Sequence, residues 1–90
     1  MSAAKFRAGR LMTTPNALGQ LTQDEILTAL SRHIAGDWGE VDEHDRNENE
    51  LSLREGFRLW SIYRSTKGEK FWVITEADRS YTTVLMPEDY

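Results

Sequence analysis

The feature that most constrains this chain is its last third, where three strand-like runs stand close together. They cover residues 57–63 (FRLWSIY), 70–75 (KFWVIT) and 81–86 (YTTVLM), and turn-forming segments at 65–69 and 76–80 separate them. Branched and aromatic side chains pack well on a pleated surface, while Gly, Asp and Ser close tight turns, so the pattern predicts an antiparallel meander. Alternation puts Phe57, Leu59, Ser61 and Tyr63 on one face of the first strand and Arg58, Trp60, Ile62 and Arg64 on the other. The second strand splits Phe71, Val73 and Thr75 from Trp72 and Ile74. Neither face is cleanly polar, which predicts a sheet covered on both sides, by helices on one and by a partner on the other.

Upstream, Thr22 and Glu25 have the spacing of a capping box, and Leu21 and Ile26 flank it as a hydrophobic staple. Ile26, Leu27, Leu30 and Ile34 recur at helical spacing, and Gly36 stands where a left-handed cap ends such a helix. A second helix is expected from a cap at Asp42 to Arg54 or Glu55, stopped by Gly56; Leu51 and Leu53 are its only apolar residues. Trp38 and Val41 are expected to anchor the preceding loop. Residues 1–14 lack periodicity, and Pro15 bars a helix from running through them, so they read as a flexible arm. The expected architecture is α+β: one or two N-terminal helices packed on a three-stranded antiparallel meander, with residues 15–90 as a single domain.

Composition removes several functional classes. Without Cys there is no disulfide scaffold, thiolate metal site or cysteine nucleophile. A net charge of −4 argues against a general phosphate-binding surface. No apolar run suits a signal peptide or a membrane span, so a cytoplasmic protein without membrane partners is expected. The charge is unevenly spread: Asp37, Glu40, Asp42, Glu43, Asp45, Glu48 and Glu50 face Arg46 alone between residues 37 and 50. Such a segment is either a solvated face or a surface complementary to a basic partner.

Three constellations could carry chemistry. Residues 76–83 bring Glu76, Asp78, Arg79 and the Ser80, Thr82 and Thr83 hydroxyls onto one hairpin. Arg at a turn can grip a phosphate and hydroxyls can complete an oxyanion site, but the same residues also favour turns for local reasons. His33, near the end of the first helix, is a potential general base or a structural histidine at a helix C-terminus. His44 lies among Asp42, Glu43 and Asp45, ligand types adjacent in sequence rather than spaced to converge on one ion, so no metal or other cofactor is expected.

Residues 71–90, with 13–18 and 36–39 upstream, resemble a family of short uncharacterised "plasmid-related" proteins carried on bacterial plasmids, integrative elements and prophages. That resemblance implies a mobile-element setting and brings no activity with it. In architecture, helices followed by an antiparallel meander also resemble the barnase, RelE and colicin nuclease group. This second resemblance implies metal-independent RNA cleavage, with His33, Arg58, Glu76, Arg79 and Thr83 as the corresponding pieces.

Two functions follow as expectations. The first is a non-enzymatic protein-binding module or inhibitor that meets a protein partner, or a second copy of itself, through Trp60, Trp72 and Tyr81. In it Asp37, Glu40, Asp42, Glu43 and Asp45 supply charge complementarity. The second is a toxin-type ribonuclease using His33 and Glu76 for proton transfer, Arg79 on the phosphate and Thr83 beside it; only this reading involves nucleic acid.

Overall fold

A computed structural model of the protein describes residues 4–90. The fold is α+β. Strand β1 (Arg10–Thr13) leads into helices α1 (Pro15–Gln20), α2 (Gln23–Ile34) and α3 (Glu43–Glu55), followed by strands β2 (Leu59–Arg64), β3 (Lys70–Thr75) and β4 (Tyr81–Leu85) and a 3-10 turn (Pro87–Asp89). The expected meander forms: β2 pairs antiparallel with β3, and β3 with β4. The sheet, however, has four strands in the order β1-β4-β3-β2, because β1 runs parallel to β4. Residues 10–13, expected in a flexible arm, are therefore a strand. Phe6 packs nearby against His33 and Trp38, and residues 1–3 of that arm lie outside the described residues.

Both long helices form for the reasons their sequences suggest. The Thr22 hydroxyl accepts from the Glu25 amide at 3.1 Å while the Glu25 carboxylate accepts from the Thr22 amide at 2.8 Å, closing the capping box of α2. Asp42 caps α3 through the Asp45 amide, and α3 stops at Gly56 in the left-handed region. Pro15 begins a helix rather than preventing one. Thr14 caps α1 through the Ala17 amide, and proline at the first helical position loses only an amide that would have no partner there.

The core lies between α1, α2 and one face of the sheet. Ala17, Leu21, Ile26, Ala29 and Leu30 from the helices meet Tyr63, Phe71, Val73 and Val84 from the strands. A second cluster, Trp38, Val41 and Leu59 with Phe6, Leu53 and Ile62 against it, wraps the β2 edge.

The β2 edge is closed by two separate devices. Asn49 of α3 donates to the Trp60 carbonyl at 2.7 Å and accepts from the Trp60 amide at 3.0 Å, as a neighbouring strand would. Two residues along, the Ile62 amide donates to the Trp38 carbonyl and its carbonyl accepts from the Glu40 amide. Gly39 makes this second contact possible. Its φ is +74°, and a side chain there would run into the Ile62 carbonyl and the Tyr63 ring. Unpaired strand edges invite association, and these contacts remove that option at β2. Among the described residues no helix is long and apolar enough to cross a membrane.

Candidate functional site

The face of the sheet turned away from α1 and α2 carries a cleft of about 280 Å³. Strand alternation brings Trp60 of β2 and Trp72 and Ile74 of β3 to this face, while α3 raises Asp45, Glu48 and Asn49 beside them. Arg58 and Tyr90 complete the walls. Trp72 packs edge-to-face on Trp60, with ring centroids 5.0 Å apart at 75°, and on Tyr90 at 5.6 Å and 65°. Such offset geometry satisfies the aromatic quadrupoles and keeps the three rings from stacking into one slab.

Tyr90 is held there by the 3-10 turn. The Asp89 carboxylate accepts from the Thr14 hydroxyl at 2.7 Å, the Asn16 amide at 3.1 Å and the Met86 backbone amide at 3.0 Å. These donors, the Thr14 hydroxyl foremost, lower the Asp89 pKa. Arg58 then spans the rim: it donates to the Tyr90 hydroxyl at 2.9 Å, lies 5.5 Å from the centre of its ring, and approaches Glu76 at 4.0 Å. The Trp60 indole N–H is shielded from solvent and has no acceptor among the described residues.

Of the residues expected to bind, Trp60 and Trp72 line the cleft together. Tyr81 shares their face of the sheet but stands outside the cleft, half-exposed. The acidic segment divides by role. Asp37 accepts two bonds from Arg32, at 2.7 and 3.2 Å, which hold its carboxyl below the usual range. Glu40 pairs with Arg64 at 3.0 Å, and Asp42 is the α3 cap. Glu43 is exposed in the first turn of α3; Asp45 and Glu48 reach the cleft, and Glu50 accepts from the Trp38 indole. His44 is exposed and lies 3.7 Å from Glu48. Among the described residues no three His, Asp or Glu side chains gather as a metal site.

The four residues of the ribonuclease reading do not converge. His33 is fully buried on the helix-covered face, where burial, and then the charge of Arg79, push its pKa down to about 3. Thr83 points to the opposite face, since its neighbour Thr82 is the residue directed into the core. Glu76 stands by Arg58. Arg79, with φ 62°, turns its guanidinium inward: it donates to the carbonyls of Phe57 (2.7 Å), Ala77 (3.1 Å), Glu76 (3.2 Å) and Ser52 (2.9 Å). Those bonds tie the β3–β4 turn to the end of α3 and leave little of the fork for a phosphate.

Sequence reasoning missed Tyr90, and it placed Glu48 only within the acidic run of residues 37–50, without distinguishing it from its neighbours. A signal for Tyr90 was present: Pro87 followed by two acids is how a helical turn begins, and a turn there folds the next residue back onto the sheet. Glu48 lies one turn beyond Asp45, so both fall on the same side of α3. No protein-family model, curated protein or solved structure matches this chain.

Proposed function

We propose that this chain is a small non-enzymatic protein-binding module or inhibitor, encoded on a mobile element as its sequence resemblance implies. The observation that supports this reading is the aromatic cleft of Trp60, Trp72 and Tyr90 on the sheet face that α1 and α2 leave uncovered. Tryptophan and tyrosine in a shielded recess with a polar rim are the residues that dominate binding at protein interfaces. Around this recess the rim is Asp45, Glu48 and Arg58. The ribonuclease alternative gains nothing from the geometry, since its proposed base is buried on the wrong face and its arginine is occupied by backbone carbonyls.

The test compares wild type with Trp72→Ala as bait in a bacterial host, with circular dichroism on both. A bound protein that Trp72→Ala loses while keeping its native spectrum is the expected result. An unchanged set of bound proteins, or an unfolded variant, would sink the assignment of Trp72 as an anchor.

A further inference from the structure

We infer that the cleft receives a basic side chain, lysine or arginine, presented by the partner protein. The inference rests on the binding reading above and names what the partner offers.

The lining carries the argument. Two tryptophans provide electron-rich rings, which attract cations more strongly once water is excluded, and the third ring, Tyr90, already carries a cation in Arg58. Opposite them stand two carboxylates, Asp45 and Glu48. An aromatic recess for an apolar side chain gains nothing from carboxylates on its wall; one for a cation gains from both features.

The cleft already accommodates one guanidinium. Arg58 lies over the Tyr90 ring and donates to its hydroxyl, with Glu76 close enough to balance its charge. Its charge is thereby answered outside the α3 wall. Asp45 has no basic partner within ion-pair distance among the described residues, and Glu48 has only the exposed His44 at 3.7 Å. The α3 side of the cleft thus carries two carboxylates with no lysine or arginine paired to them among the described residues. Size agrees: about 280 Å³ is at the lower edge of the ~300–1,000 Å³ typical of small-molecule pockets, which suits one long side chain better than a cofactor.

The experiment titrates isotopically labelled full-length protein with three capped tripeptides, Gly-Lys-Gly, Gly-Arg-Gly and the uncharged isostere Gly-norleucine-Gly, following the indole N–H signals of Trp60 and Trp72. The expected result is saturable shifts with a basic peptide and affinity at least about tenfold above the norleucine peptide. Asp45→Asn with Glu48→Gln should weaken the basic peptide several-fold and flatten its salt dependence. Trp72→Ala should abolish the shifts; Trp72→Phe, which keeps a ring face, should retain weakened binding if the alanine variant fails to fold. Equal binding of the norleucine peptide, or no effect of removing the two carboxylates, overturns the inference while leaving an apolar docking cleft. Absence of shifts with any peptide also overturns it. The fate of the wider binding reading is then decided separately, by whether Trp72→Ala loses a protein partner in the host.

Discussion

The Nδ1 of His33 lies 2.6 Å from the Ser61 hydroxyl, both side chains fully buried between α2 and the sheet. The other ring nitrogen, Nε2, is 2.9 Å from Thr75 Oγ1, which is 2.6 Å from Thr82 Oγ1, which in turn donates to the Ala8 carbonyl at 2.7 Å. A carbonyl can only accept, so it sets the direction of the whole chain. Thr82 spends its proton on Ala8, Thr75 spends its own on Thr82, and His33 must supply an N–H from Nε2. Nδ1 then accepts from Ser61. Every hydroxyl is satisfied by a neutral imidazole of one tautomer, and a protonated one would require Ser61 to turn from donor to acceptor.

Stability should therefore fall as the solution becomes acid, well before the carboxylates titrate. The folded pKa of about 3 lies below the ordinary 6.5, so the unfolded chain binds the proton first. This contribution is fully present above pH 6.5 and is lost as pH drops toward 3, at about 1.4 kcal/mol per pH unit. Asp37, Asp78, Asp89 and Glu25 also have lowered pKa values, but their contributions are lost only below their ordinary values of 3.8 to 4.5. Between pH 6.5 and 4.5 His33 acts alone among these groups. Denaturant melts across that window should show the slope, and His33→Gln should remove it; a flat profile for wild type would contradict the assignment.

Closing the β2 edge should matter both for stability and for solubility. Asn49→Leu leaves the Trp60 amide and carbonyl without partners, at a cost of about 2 kcal/mol. Gly39→Ala forces a side chain onto the Ile62 carbonyl from a left-handed backbone, with a cost of about 1–3 kcal/mol. Either variant should also self-associate as concentration rises, because the strand edge is uncovered. Light scattering beside a denaturant melt would check both effects.

The two partly or fully buried tryptophans near α3 should respond differently to loss of the indole N–H. Trp38 donates to Glu50 at 2.9 Å, so Trp38→Phe removes a charge-assisted bond and should cost about 2 kcal/mol or more. Trp60 has no acceptor among the described residues, so Trp60→Phe relieves an unsatisfied donor that offsets the lost ring volume, and its cost should stay below about 1 kcal/mol. Equal losses for the two variants would contradict the hydrogen-bond assignment.

Arg79 should prove structural. Arg79→Lys keeps the charge but cannot reproduce a fork that reaches carbonyls at both Ser52 and Phe57, and a loss of about 2 kcal/mol is expected. Total RNA in a host expressing wild type or Arg79→Ala should remain intact in both. RNA breakdown by wild type alone would instead favour the ribonuclease reading.

Much of the fold was legible because its signals are local. The Thr22–Glu25 box, the Ile26–Ile34 spacing and the three β-rich runs each lie within a few residues of one another. Strand β1 was not legible. Its four residues, RLMT, show no alternation, and what makes them a strand is parallel pairing with β4, some seventy residues away. Helix α1 was legible in principle, since Thr14 before Pro15 is a cap followed by proline at the first position, but proline weighed there as a breaker. The cleft was half legible: Trp60 and Trp72 were expected as exposed aromatics of the sheet, but their shared face depends on the β2–β3 register, and Tyr90 arrives through a tertiary turn anchored on Thr14 and Asn16. His33 was ambiguous for a related reason. Its two hydroxyl partners come from β2 and β3, and their register is visible only once the sheet is assembled.

The binding role of the Trp60–Trp72 face is tested most sharply by photo-cross-linking in a bacterial host with a benzophenone amino acid at position 81. Tyr81 is half-exposed on the same sheet face as Trp60 and Trp72 but outside the cleft, so the probe leaves the lining intact. Leu18, exposed on α1, is the control position. A discrete adduct to another protein from position 81, absent from position 18 and lost on adding Trp72→Ala, is the predicted result. No adduct specific to position 81, or one that persists with Trp72→Ala, would contradict the assignment of this face as the binding surface.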